Sequence, residues 1–244
     1  NWKMHGNLND NAQFVQTLAR DFPQLADASL SMAICPPFPY LAQMGEALPA
    51  HMAVGAQNVN AQASGAHTGE VSLAMLEDFG CRYVLLGHSE RRQSYGDTDP
   101  IVAEKLANVV NSQLTPVLCV GETLEEREAD QTEKVVSRQI QSVIDRVGIK
   151  GLAEAVVAYE PVWAIGTGKT ASPQQAQAVH AHIRQLLAQQ DSALAERLPI
   201  LYGGSVKPEN AAELFGQADI NGGLVGGASL KASSFGAICL AAIS

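Results

Sequence analysis

The sequence predicts an α/β fold, and within that class a single-domain (β/α)8 TIM barrel. Three observations carry this reading. Short apolar runs alternate with longer amphipathic stretches along the whole chain. The length of 244 residues suits such a barrel, which takes about 250. No Pro-, Gly- or Ser-rich linker and no low-complexity tract divides the chain.

The elements come in order along the chain. Residues 11–22 read as the first helix, with Phe14, Val15, Leu18 and Ala19 inward. A helix this early needs a strand before it, and only residues 1–3 stand where that strand would end. The expectation is one domain over residues 1–244, its first strand truncated, with the body preceding Asn1. The remaining strands are expected at 31–35, 52–56, 83–86, 116–120, 155–159, 200–202 and 220–225. Several are apolar nearly throughout, as parallel strands covered on both faces require. Asp99-Pro100 reads as an N-cap with proline at the first helical position, leading into a stripe of Ile101, Leu106, Val109 and Val110. Ser172 and Gln175 form a capping-box pattern ahead of Val179, Ile183, Leu186 and Leu187. Val135, Gln139, Ile140, Val143 and Ile144 share another helical face. An open doubly wound sheet is the competing fold, but no GxGxxG comes after an early strand.

Composition narrows the function. The chain is 46% hydrophobic with a formal charge of −9. A dispersed acidic balance argues against nucleic acid as a main partner, because phosphate backbones need clustered Lys and Arg. No apolar run approaches the roughly 18 residues of a membrane span. The N-terminus has no charged segment leading into an apolar run, so no targeting signal is read there. Cys35, Cys81, Cys119 and Cys239 are widely spaced in apolar contexts, as buried free thiols in a reducing compartment would be. No metal site is expected. His180 and His182 face different ways on a helix, and His51, His67 and His88 show no ligand spacing.

Barrel chemistry sits at the C-terminal ends of strands. The residues at those ends are Asn1-Trp2-Lys3, Gly87-His88-Ser89-Glu90, Gly121-Glu122, Glu160-Pro161, Gly203-Gly204-Ser205 and Gly226-Gly227. Glycine-rich turns after the last two strands expose backbone N–H groups that can hold a phosphate. The competing reading is that they only relieve crowding at tight turns. Glu160 suits a general base in a partly buried setting, against a solvated strand-end acid. His88 suits a neutral hydrogen-bond donor to a carbonyl oxygen, against a structural histidine. Lys3 supplies positive charge beside a developing oxyanion, against a lysine lying on the surface. Glu90 orients its neighbours or pairs with Lys3, against a solvated acid at a helix start. Asn1 offers hydrogen bonds to substrate oxygens. Residues 161–170 form a loop that is apolar first and glycine-jointed after, as a water-excluding lid would be, and its closure could bring the Gly166 N–H to the phosphate.

Together these stretches resemble the triosephosphate isomerase family over the full length. The match runs through Asn1-Trp2-Lys3-Met4, Ala56-Gln57-Asn58, Gly65-Ala66-His67-Thr68-Gly69-Glu70, Gly87-His88-Ser89-Glu90-Arg91-Arg92 and Cys119-Val120-Gly121-Glu122. It continues through residues 158–169, 202–206 and 224–230. The resemblance implies interconversion of dihydroxyacetone phosphate and glyceraldehyde 3-phosphate through an enediolate, with no cofactor and no metal. It implies that Asn1 and Lys3 contact substrate, that His88 serves the oxygens and Glu160 the carbons, and that Glu90 supports them. Gly166, Ser205, Gly226 and Gly227 would hold the phosphate. It also implies a cytoplasmic homodimer working in glycolysis and gluconeogenesis, with the loop 62–70 inserted into the partner and Thr68 approaching the partner's active site. Three departures stand out. His5 replaces a common Asn, His67 replaces a common Phe or Tyr at the same interface, and Asn221-Gly222-Gly223 replaces Asp-Gly and a larger residue. Another phosphate-binding barrel, an aldolase working through Lys3, and a catalytically inactive scaffold are the competing functions.

Overall fold

The computed structural model describes residues 1–165 and 170–243. Six parallel strands form one sheet in sequence order: β1 (Met32–Ile34), β2 (Met52–Ala56), β3 (Tyr83–Leu86), β4 (Thr115–Val120), β5 (Val156–Tyr159) and β6 (Ile200–Tyr202). Each reaches its neighbour through a helical crossover, so the sheet winds in one direction and curls into a barrel. Side chains alternate along the strands as a period of two demands. Leu85, Val117, Cys119, Val156 and Ala158 join Cys35 in one buried cluster. Val84, Leu86, Leu118, Val120, Val157 and Tyr159 belong to the larger core shared with the helices.

The segment 220–225 corrects the expected seventh strand. It is reduced to an isolated parallel bridge between Tyr202 and Gly223. Backbone bonds still hold it beside β6: Asn221 N to Ile200 O, Tyr202 N to Gly222 O and Leu224 N to Tyr202 O, each 2.9 Å. Gly222, at φ +149, departs from strand geometry, and its neighbour Gly223 has no side chain to pack. Beyond it, Asn1 N donates to Val225 O at 2.9 Å and Trp2 N donates to Cys35 O at 3.0 Å. Residues 1 and 2 therefore close the ring between its two edges, where the end of a first strand was expected. Trp2 is anchored there, edge-on to Phe14 at 5.1 Å with its indole N–H on Ser229 O at 3.1 Å. An apolar cavity of about 450 Å³, walled by Met32, Leu85, Val117, Leu201 and Val225, lies in the same seam.

The helices obey their sequence signals with local shifts. Helix α1 (Leu8–Asp21) starts earlier than expected because Asn7 caps it, accepting from Asn9 N and Asp10 N. Phe14, Val15 and Leu18 are buried, but Ala19 is exposed and Asn11 is buried instead, donating to Gln43. After α2 (Leu41–Ala47), α3 (Leu73–Asp78) and α4 (Ser89–Ser94) comes α5 (Asp99–Val109), which is capped at Thr98 and not at Asp99. The Asp99 carboxylate is engaged by Arg92 at 2.6 Å and Arg138 at 3.0 Å, which leaves it unavailable as a cap. Ile101 is accordingly exposed, and Val102 takes the inward position. Next come α6 (Leu124–Glu128) and α7 (Thr132–Val147), and α7 buries all five residues of its expected face. Its polar member, Gln139, accepts from Gly121 N at 2.8 Å and donates to Gly121 O at 3.1 Å. Helix α8 (Pro173–Ala188) carries the expected Ser172–Gln175 capping box. The chain ends through α9 (Ser192–Arg197), α10 (Pro208–Phe215) and α11 (Ala232–Ala241).

All four cysteines are free and buried. Burial pushes the Cys81 thiol up to about 11 and Cys239 up to about 12. It raises Cys35 too, and Cys119 further still, where the Glu160 charge adds to the effect. Among the described residues no helix is long and apolar enough to cross a membrane.

Candidate active site

A cavity of about 550 Å³ opens at the C-terminal ends of the strands and is lined by Asn1, Lys3, His88, Glu160, Ser205, Gly226 and Gly227, among others. A larger hollow of about 820 Å³ lies elsewhere, against Met32, Met52 and Tyr83 at the starts of three strands. The smaller one is the site, because it gathers a buried carboxylate, an imidazole and an ammonium group.

Glu160 directly succeeds β5 and is 2% exposed. Its N–H still donates to Val120 O at 2.8 Å, so the β4–β5 ladder fixes its position. Oε2 accepts from Ser89 N at 2.9 Å and Oε1 from Ser89 Oγ at 3.1 Å. His88 Nε2 stands 3.0 Å from Oε1. His88 itself leaves β3 through Gly87, whose φ of +68 favours glycine. Its Nδ1 accepts from Glu90 N at 3.2 Å. That bond occupies the Nδ1 lone pair, so the proton of a neutral ring belongs on Nε2, facing Glu160 and the cavity. The first two amides of α4 thus both serve the site, one holding the carboxylate and the other setting the tautomer.

Lys3 occupies the left-handed region at φ 53, which costs energy for any residue with a Cβ. The surroundings hold it there. Its N–H donates to Asn1 Oδ1 at 2.9 Å. Gln57 Nε2 donates both to Lys3 O at 2.8 Å and to Cys35 O at 2.9 Å. Lys3 Nζ meets Glu90 Oε1 at 2.5 Å, the pairing expected of Glu90.

The two glycine pairs differ. A Cβ on Gly203 would come within 2.9 Å of Glu160 Cγ, and one on Gly204 within 2.2 Å of the Tyr202 hydroxyl. These glycines are required by packing. Gly226 would meet only Lys3 Cε at 3.6 Å, and Gly227 nothing within 4 Å. Their backbone is open to the cavity. Ser205, half-buried, lines the same space. Gly166, expected to complete the phosphate site, lies outside the described residues.

The start of the 161–170 loop is anchored by a residue to which sequence reading gave no role. Glu122 is fully buried, and its Oε1 accepts from Trp163 Nε1 at 2.9 Å, Tyr159 OH at 3.1 Å and Arg127 at 3.2 Å. Arg127 also lies over the Trp163 ring at 4.8 Å. Burial and the Glu122 charge push the Tyr159 hydroxyl far above its ordinary range. Ser89 and Gln57 were missed as well. Each was visible only as part of a matching motif, since what they do depends on contacts across 71 and 54 residues.

His5, His67 and Thr68 are exposed. The loop bearing the latter two is pinned at its base by Asn60, whose N–H donates to Val71 O and whose amide donates to Glu70, both at 2.8 Å. Among the described residues no group of three His, Cys, Asp or Glu side chains could hold a metal ion.

A buried carboxylate facing an Nε2-protonated imidazole, beside a constrained ammonium group and an open stretch of backbone, defines an acid–base enzyme built on an α/β barrel. Comparison with known proteins makes this specific. The family model described as triosephosphate isomerase matches residues 1–242, and the chain belongs to that family. It is 59% identical over 243 residues to triosephosphate isomerase of Thiobacillus denitrificans (strain ATCC 25259 / T1), covering 99% of this chain and 96% of that protein. With triosephosphate isomerase of Dechloromonas aromatica (strain RCB) the identity is 57% over the same shares of each chain.

Proposed function

We propose that this chain interconverts dihydroxyacetone phosphate and D-glyceraldehyde 3-phosphate through an enediolate, with Glu160 as the base. The carrying observation is the 3.0 Å approach of His88 Nε2 to a Glu160 carboxylate that is 2% exposed. A substrate entering between them takes over the imidazole hydrogen bond. Glu160 then removes a proton from one carbon and returns it to the next. His88 donates its Nε2 proton to the carbonyl oxygen that gains charge and takes a proton back from the neighbouring hydroxyl oxygen, while Lys3 stabilises the charge that develops between the two steps. Asn1 binds substrate oxygens while its Oδ1 holds the Lys3 backbone. Glu90 keeps Lys3 and His88 in register. Ser205, Gly226, Gly227 and Gly166 hold the phosphate through backbone N–H groups, and no cofactor enters the scheme. Glu160→Gln lowers kcat by about 1000-fold with the fold unchanged. Measured turnover tests this, and a Gln variant within tenfold of wild type would remove Glu160 from the role.

The working unit in this reading is a cytoplasmic homodimer of whole barrels, serving glycolysis and gluconeogenesis. Exposed apolar side chains support the dimer: Met4 at 91%, Leu8 at 61% and Tyr95 at 69%. Met4 and His5 directly follow Lys3 in the chain, and Tyr95 caps the end of the helix that carries Glu90. His5, His67 and Thr68 would face the partner subunit. Sedimentation velocity tests this, and a monomer at full activity would overturn it.

A further inference from the structure

The geometry points to a second reactive centre, on the helical wall: Ser137 is a nucleophile towards small activated acyl groups, with His182 as its base and Glu133 as the partner of the ring. Glu133 and Ser137 stand four residues apart on α7, so they share one face of that helix. His182 reaches that face from α8. Its Nε2 lies 2.8 Å from Ser137 Oγ, and its Nδ1 lies 3.7 Å from Glu133 Oε2. The order hydroxyl, imidazole, carboxylate is the one that activates a serine for acyl transfer, whatever fold carries it. None of the three lines the cavity at the strand ends, so the inference is independent of the isomerase reading.

The Glu133 carboxylate favours the tautomer of His182 that carries its proton on Nδ1. Nε2 is then an acceptor and the Ser137 hydroxyl its donor, which is what a general base needs. The wider gap to Glu133 suits an exposed carboxylate that closes in as the ring gains charge. Ser137 and His182 are half-buried, so reagents in solution reach them. Among the described residues no other serine hydroxyl is hydrogen-bonded to a histidine ring. In the reaction, Ser137 Oγ forms a bond to the acyl carbon and its proton passes to His182 Nε2. The leaving group departs with the electron pair of the broken bond, and the imidazolium returns its proton to solvent. Water then cleaves the acyl-serine with the same base, releasing the free acid and restoring the hydroxyl. Ser137 sits inside α7, where the backbone N–H groups are engaged within the helix and do not reach an oxyanion. The site therefore takes only acyl groups with good leaving groups (aryl esters, thioesters, acyl phosphates), and its acyl-serine hydrolyses slowly.

The test is reaction with p-nitrophenyl acetate, followed by peptide mapping in a mass spectrometer. Wild type releases p-nitrophenolate in a burst of about one equivalent and carries an acetyl group on Ser137. Ser137→Ala loses both the burst and the acetyl group on that peptide. His182→Ala slows acetylation of Ser137 by about 100-fold, and added imidazole restores it. His182→Gln keeps a hydrogen bond to Ser137 but lacks the base, and is equally slow. That pair of results separates the base from a merely structural contact between the helices. Glu133→Gln slows the reaction several-fold. A wild type acetylated on lysines, with Ser137 unmodified, overturns the proposal. So does a His182→Gln variant that acetylates Ser137 as fast as wild type, or a folded His182→Ala variant that imidazole fails to rescue.

Discussion

Gly203-Gly204 and Gly226-Gly227 stand on the same rim, each just past a run of apolar backbone, yet their surroundings are opposite. The first pair is pressed between Glu160 and Tyr202, so that a single methyl group would meet the hydroxyl of Tyr202 at 2.2 Å. The second pair faces open space, with nothing within 4 Å of a Cβ on Gly227. One wall of the cavity is therefore packed and the other vacant. The packed wall holds the Glu160 carboxylate, the base of the proposed mechanism, and its position is set by neighbours. In the proposed mechanism the open wall would receive the part of the substrate that does not react, which needs only reachable N–H groups. The same dipeptide thus serves rigidity in one place and access in the other.

The sharpest probe of the packed wall is pH. His180 lies behind it, fully buried, edge-on to Tyr159 at 5.8 Å and tilted against Tyr202 at 6.4 Å. Burial pushes its pKa down to about 4, although the Asp219 carbonyl at 3.1 Å from Nδ1 works the other way. The folded protein therefore holds the ring neutral, while the unfolded chain titrates near 6.5. This contribution to stability is fully present above that value and is lost as pH falls from about 6.5 towards 4. It amounts to about 3 kcal/mol at most. Urea unfolding between pH 7 and 4 should show the decline, and His180→Phe should flatten it. Asp97 acts elsewhere on the scale. Burial alone would raise its carboxyl, but Lys105 and Arg91 outweigh that and hold it low. Its contribution is present above the unfolded carboxylate value and lost only in stronger acid.

Gly204→Ala comes next, with an expected loss of about 2 kcal/mol, since the contact is with a side chain itself locked in the core. Chemical denaturation measures it, and a neutral result would mean the packed wall yields more easily than its distances suggest. Gly227→Ala is the counterpart on the open wall. Its stability should equal wild type, while KM rises several-fold because the methyl occupies the phosphate seat. If instead the protein melts early and KM is unchanged, the distinction between the walls fails. The smallest effect is expected of Glu90→Gln. The Lys3–Glu90 pair joins side chains 25% and 48% exposed, so its loss should cost less than about 1 kcal/mol of stability.

Regular packing was legible in the sequence, and irregular packing was not. The faces of α7 and α8 and the positions of β2, β3 and β6 come from apolar period and capping residues. Asp99 shows the limit: a good N-cap by local chemistry was taken by Arg92 and Arg138, from outside its own helix. Residues 220–225 read as a strand from apolarity alone, but pairing depends on two flanks and on Gly222. In the site, Glu160, His88 and Lys3 were marked by charge at strand ends. Ser89 and Gln57 carry no such mark, and Glu122 carries it without revealing its role, because the value of all three lies in partners far away in sequence.

The four buried thiols give this barrel an internal clock for its own opening. With Cys81 held near 11 and Cys239 near 12, almost no thiolate is present at neutral pH, and none of the four is exposed. A thiol reagent in solution can react only after the packing around a cysteine has parted. Cys35 and Cys119 lie inside the strand ring, Cys239 in the last helix and Cys81 ahead of β3. Their separate labelling rates would therefore report which part of the wall loosens first, without any change to the sequence.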